Sequence, residues 1–99
     1  MCYDCCVNVR VHRHALKHGL SEKQICSAFA QPVPGFDSVI RYRDIDTEPQ
    51  RYAQIGFDPF TGMEIELVFV YLAGGGVMII HANKATKGFK KEMKEARNG

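Results

Sequence analysis

Two turn signals divide the stretch from Arg51 to Ala82 into three apolar segments of strand length. Asp58-Pro59-Phe60-Thr61-Gly62 and Gly74-Gly75-Gly76 are rich in the residues that fix or free the backbone at a reversal, and each is short enough to join antiparallel neighbours. The segments read as strands over Arg51–Phe57, Met63–Leu72 and Val77–Ala82. In the first, Ala53, Ile55 and Phe57 alternate with Tyr52, Gln54 and Gly56. The second opens with Glu64 and Glu66 outward and then turns apolar on both sides, as a central strand covered on both faces does. A fourth strand is expected ahead of these, over Asp37–Ile45, with Ile40 and Tyr42 on one face and Arg41 and Arg43 on the other; Thr47–Gln50, with Pro49, turns the chain.

Helical signals flank this meander. Residues Asn8–His18 are basic, free of Gly and Pro, and stop at Gly19, the residue expected just past a helix end; a first helix is predicted there. Ser21-Glu22-Lys23-Gln24 is a capping box, because the Ser21 hydroxyl and the Gln24 side chain can each satisfy the other's backbone amide. The helix it opens runs to about Ala30, buries Ile25, Cys26 and Phe29, and ends at Pro32, Pro34 and Gly35. Thr86 is the predicted N-cap of a last helix with Phe89, Met93 and Ala96 on one face. The expected architecture is α+β: a four-stranded antiparallel β-meander with two N-terminal helices and one C-terminal helix.

At 99 residues, of which 45% are hydrophobic, the chain is the size of one core. A single domain over residues 8–99 is expected, behind a flexible N-terminus over residues 1–7. No run approaches the roughly eighteen apolar residues that cross a bilayer, and Asp4, Arg10 and Arg13 break any leader-like core, so no membrane association and a cytoplasmic location are expected. Cys2, Cys5 and Cys6 crowd the start while Cys26 sits alone on a helical stripe, which is not a disulfide framework. Cys2 and Cys5 with His12, His14 and His18 form a candidate zinc set, but the spacing matches no closed structural site. A reduced N-terminus without metal is the expectation.

The net charge is +2, with basic residues gathered at the two ends of the chain and acidic ones in the middle. The glycines at 74–76 lie between strands and make a turn, so they do not form a phosphate-cradling loop opening a helix. No Ser or Cys stands in a nucleophile context. What stands out is a set of cationic and imidazole groups near element ends: Lys17 and His18, Arg41 and Arg43, Arg51, His81, and Lys84. Cleaving RNA without a metal needs a base for the 2′-hydroxyl, an acid for the leaving oxygen, and cations over the phosphate, which these side chains can supply. His81 shares strand parity with Val77 and Ile79, and is either a satisfied structural histidine or a group emerging at the strand end. Lys87, Lys90, Lys91, Lys94 and Arg97, interspersed with Glu92 and Glu95, read first as a solvated helix face.

Three segments, in order, resemble the BrnT family of bacterial type II toxins: Lys17-His18-Gly19 before a capped helix, Arg51-Tyr52-Ala53-Gln54-Ile55-Gly56, and His81-Ala82-Asn83-Lys84-Ala85 leading into a basic helix. The similarity spans roughly residues 12–97. The resemblance implies a RelE-like fold, RNA cleavage with no metal or cofactor, and silencing by a cognate antitoxin protein whose DNA-binding partner module represses the operon. It maps the family's Lys-His-Gly onto Lys17, His18 and Gly19, its Arg-Tyr onto Arg51 and Tyr52, and its Lys-Ala onto Lys84 and Ala85. Where the family shows Ser-Ala-Arg, this chain has His81, Ala82 and Asn83, and it has no Trp. The resulting expectation is catalysis by Lys17, His18, Arg51 and His81, with RNA held by Arg41, Arg43, Tyr52, Lys84 and Lys87. The competing expectation is a non-catalytic protein-binding module of the same fold. An exposed sheet edge in either case calls for an antitoxin or a second copy of the chain, as in a homodimer, to cover it.

Overall fold

A computed structural model describes residues 8–40 and 48–98. Its β-strands are β1 (Val9–Val11), β2 (Val39–Ile40), β3 (Arg51–Asp58), β4 (Met63–Tyr71) and β5 (Val77–Lys84), and its α-helices are α1 (Glu22–Ala30) and α2 (Lys87–Asn98). The strands form one sheet in the order β1-β5-β4-β3-β2. β2 through β5 pair antiparallel, as the turn signals require, whereas β1 lies parallel to β5 with Val9 opposite Val77 and Val11 opposite Ile79. The fold is therefore α+β with a five-stranded mixed sheet.

Two expectations change. The helix predicted over Asn8–His18 is instead β1 followed by a 3-10 helix over Arg13–Leu16. Val9 and Val11 alternate with Arg10, and their β-branched side chains pack against the core on one face of β5, a gain that outweighs the weak helical signal. The sheet is consequently mixed and has five strands where an antiparallel four were expected. Of the strand expected over Asp37–Ile45, Val39 and Ile40 pair with Ala53 and Tyr52; residues 41–45 lie outside the described residues.

Each face of the sheet carries one helix. α1 covers the face of Ile65, Leu67, Phe69, Val77, Ile79 and Ala82, together with Ala15 from the 3-10 helix. α2 covers the other, where Phe89 and Met93 pack on Ala53, Ile55 and Val68. The central strand β4 is accordingly buried from Ile65 to Val70, as its apolar run predicted.

Specific contacts fix the helices. The capping box is formed: Gln24 N–H donates to Ser21 Oγ at 3.1 Å and Ser21 N–H to Gln24 Oε1 at 2.9 Å. The same Gln24 donates from Nε2 to the buried Asp58 carboxylate at 3.1 Å, which also accepts from the Thr61 hydroxyl at 2.6 Å and the Phe60 amide at 2.9 Å. Burial pushes the Asp58 carboxyl up, but the bonds from Thr61, Phe60 and Gln24 together outweigh it and hold it below the ordinary range. Gly56 lets α1 approach β3 closely, since a Cβ there would stand 1.8 Å from the Ala28 carbonyl oxygen. Thr86 caps α2 as expected, with its Oγ accepting from Phe89 N–H at 3.2 Å. Arg97 near the helix end bonds Asp37 at 2.9 Å and the Gly35 carbonyl at 3.2 Å.

Candidate functional site

The site begins with an irregularity in β5. Phe69 pairs with Ile79 and Val68 with His81, so Ile80 is an extra residue, a β-bulge. A bulge reverses side-chain parity beyond it and recurs beside active sites. His81 therefore does not share the face of Val77 and Ile79, as uninterrupted alternation predicted; it lies on the opposite face with Glu66 and Val68.

His81 there meets a buried carboxylate. Its Nε2 lies 2.8 Å from Glu66 Oε2, with the histidine side chain 31% exposed and the glutamate 7%. Glu66 Oε1 accepts the Thr86 amide at 2.9 Å and the Thr86 hydroxyl at 2.8 Å. Burial raises the Glu66 carboxyl, but the hydrogen bonds from His81 and Thr86 overcome that and leave it below the ordinary range, hence ionised at neutral pH. The His81 ring is further oriented by Phe89, near-parallel at 6.4 Å between centroids, and by His18, edge-on at 5.7 Å.

The chain after β1 supplies the second wall. His12 N–H donates to the Ile79 carbonyl at 2.8 Å, which ties the start of the 3-10 helix to β5. The fully buried Ala15 anchors its inner side. His12 caps this helix, its Nδ1 accepting from the His14 amide at 3.1 Å, so the neutral ring carries its proton on Nε2. The rings of His12 and His14 stack at 5.1 Å. Gly19, with φ of 85°, then turns the chain toward α1.

Between these walls is an open pocket of about 480 Å³. Val68 and Ile80 form its apolar floor, Glu66 and His81 one side, and His12, His14, Lys17 and Arg51 the rest. All four histidines of the chain thus converge on one spot, three lining the pocket and His18 against His81. Lys17 and Arg51 accompany them, and among the described residues of the lining the one carboxylate, Glu66, is engaged by His81 and Thr86. The arrangement sets several imidazoles, groups able to transfer protons near neutral pH, beside two cationic side chains.

Of the residues expected from sequence, Lys17, Arg51 and His81 come together in this pocket and His18 adjoins it. Tyr52 does not: it alternates with Arg51 and lies on the α1 face, stacked on Phe69 at 5.8 Å and edge-on to Tyr71 at 4.9 Å. Lys84, at the end of β5, and Lys87, at the start of α2, are exposed and outside the pocket lining. Arg41 and Arg43 lie outside the described residues, as do Cys2 and Cys5 of the candidate zinc set. Among the described residues no group of three or more His, Cys, Asp or Glu side chains is placed to hold a metal ion, and no helix is long and apolar enough to cross a membrane.

Sequence reasoning missed Glu66 and the non-metal use of His12 and His14. The signal for Glu66 was present: a carboxylate inside an otherwise apolar run of a doubly covered strand must find hydrogen-bond partners. No family model, curated protein or solved structure matches the chain.

Proposed function

We propose that this protein is a metal-independent ribonuclease acting through the histidine-lined pocket, and that it is a toxin of the type II kind its three segments resemble, restrained by a cognate antitoxin. The observation that carries the proposal is the convergence of His12, His14, His18 and His81 with Lys17 and Arg51 around one open cavity. An RNA phosphodiester seated there has its non-bridging oxygens facing Lys17 and Arg51. An imidazole takes the 2′-hydroxyl proton, the 2′-oxygen bonds to phosphorus, and the bond to the 5′-oxygen breaks as a second imidazole delivers a proton to it. The products are a 2′,3′-cyclic phosphate and a 5′-hydroxyl, and no electron leaves or enters.

The test is incubation of the purified protein, in excess chelator, with an RNA oligonucleotide and with the DNA of the same sequence. Cleavage of the RNA alone, leaving 2′,3′-cyclic phosphate ends, is the expected result. DNA cleavage, or a requirement for divalent metal, overturns the mechanism. Tight binding to a protein partner with no cleavage of any RNA moves the assignment to the non-catalytic binding module.

A further inference from the structure

We propose that Glu66 and Thr86 are positioning residues that commit the His81 imidazole to one tautomer, proton on Nε2 and lone pair on Nδ1, so that Nδ1 is the atom that accepts the proton of the attacking hydroxyl. Only the last clause rests on the ribonuclease reading; the tautomer is a property of the free protein.

The hydrogen-bond direction is forced link by link. The Phe89 amide donates to Thr86 Oγ at 3.2 Å, which uses a lone pair of that hydroxyl and turns its proton toward Glu66 Oε1, 2.8 Å away. The Thr86 amide, which can only donate, reaches the same oxygen at 2.9 Å. Oε1 is thus occupied by two donors, and the carboxylate, acceptor-only when ionised, has Oε2 left to receive. Nε2 of His81 is 2.8 Å from Oε2. Two lone pairs do not face each other at that distance, so Nε2 bears the hydrogen. Among the described residues none hydrogen-bonds His81 Nδ1, which is left as the ring's one basic atom. His12 in the same pocket is also the Nε2–H tautomer but with the other nitrogen engaged: its Nδ1 accepts from the His14 amide, so Nε2–H is the atom it turns to a substrate. One imidazole is set to accept and the other to donate.

Glu66→Gln gives the sharpest test, because the two Thr86 donors must claim the amide oxygen. The amide NH2 then faces His81 Nε2, which has to accept, and the ring's proton moves to Nδ1. Long-range 1H–15N correlation of 15N-histidine-labelled protein without RNA, at a pH where the imidazoles are neutral, reads this directly. The expected spectrum has a pyrrole-like Nε2 and pyridine-like Nδ1 for His81 in the wild type, and the opposite pair in the variant. Since free histidine already favours the Nε2–H form, the inversion is the diagnostic result. A folded Glu66→Gln protein whose His81 keeps the wild-type tautomer overturns the proposal. Should that variant not fold, the wild type alone decides: a slowly exchanging Nε2–H on His81 supports the proposal, and an Nδ1–H form overturns it.

In the cleavage assay Glu66→Gln is expected to lose about 10²–10⁴-fold, the range of general acid–base assistance. A wrong tautomer costs about 10⁴ in kcat in serine-protease triads. Tautomer inversion with a wild type that cleaves no RNA upholds the positioning role and removes the ribonuclease. RNA cleavage by the wild type with no inversion does the reverse.

Discussion

Gly56→Ala tests how the helix that follows the pocket's second wall is seated. The added Cβ would meet Ala28 O at 1.8 Å, Ala28 C at 2.4 Å and Ala28 Cα at 3.0 Å. All three are backbone atoms of α1, so no side chain can swing aside. α1 is also held where it is by Gln54 Nε2 donating to the Phe29 carbonyl at 2.8 Å, by the Phe57 amide donating to the Gln31 carbonyl at 2.9 Å, and by the Gln24–Asp58 bond. Relieving the clash means moving the helix by more than an ångström against these bonds. Overpacking a well-filled core costs about 1–3 kcal/mol, and a backbone obstacle puts this substitution at the upper end or beyond it. For a domain of this size about 2–3 kcal/mol lowers Tm by roughly 10–20 °C. Thermal unfolding followed by far-UV circular dichroism reads the shift. A Gly56→Ala protein melting within a couple of degrees of the wild type would refute the close approach of α1 to β3.

Other outcomes follow from the same contacts. Asp58 and Glu66 have carboxyls held below their ordinary values, so their contribution to stability is complete above the ordinary carboxylate range near pH 4 and is lost as pH falls through their lowered folded values. Urea midpoints measured from pH 7 down to pH 2 are expected to drop most steeply below about pH 4, and less steeply in Asp58→Asn. Ser21→Ala removes one half of the capping box and is expected to cost about 1 kcal/mol, read as a lower urea midpoint with unchanged slope. Lys17→Ala and Arg51→Ala are each expected to slow RNA cleavage by about 10²–10³, as for loss of one group stabilising transition-state charge, while leaving the far-UV spectrum unaltered.

Much of this was legible in the chain because it is local. The turns at Asp58–Gly62 and Gly74–Gly76 delimit β3, β4 and β5, and Ser21-x-x-Gln24 and Thr86 announce the starts of α1 and α2. β1 was not legible, since Val9-Arg10-Val11 is too short to carry a period and its stability comes from a parallel partner at the far end of the chain. Nor was the bulge at Ile80, which rests on how β5 registers against β4 and which puts His81 on the pocket face. Simple alternation with Glu64 points Glu66 outward, although its neighbours Ile65 and Leu67 to Val70 mark a strand with no solvent face. Lys17, His18, Arg51 and His81 stand out in the sequence as cationic or imidazole groups near element ends. His12 and His14 entered only as candidate metal ligands, because the 3-10 helix that folds them back over β5 is set by tertiary contacts.

The proposed cleavage of RNA in this pocket is checked by induced expression in a bacterial host with total RNA examined alongside, for the wild type, Arg51→Ala and His81→Ala. Growth arrest with RNA loss in the wild type, relieved in both variants at equal soluble expression, is the predicted result. Healthy growth with intact RNA in all three, or arrest that both variants leave unchanged, would contradict it.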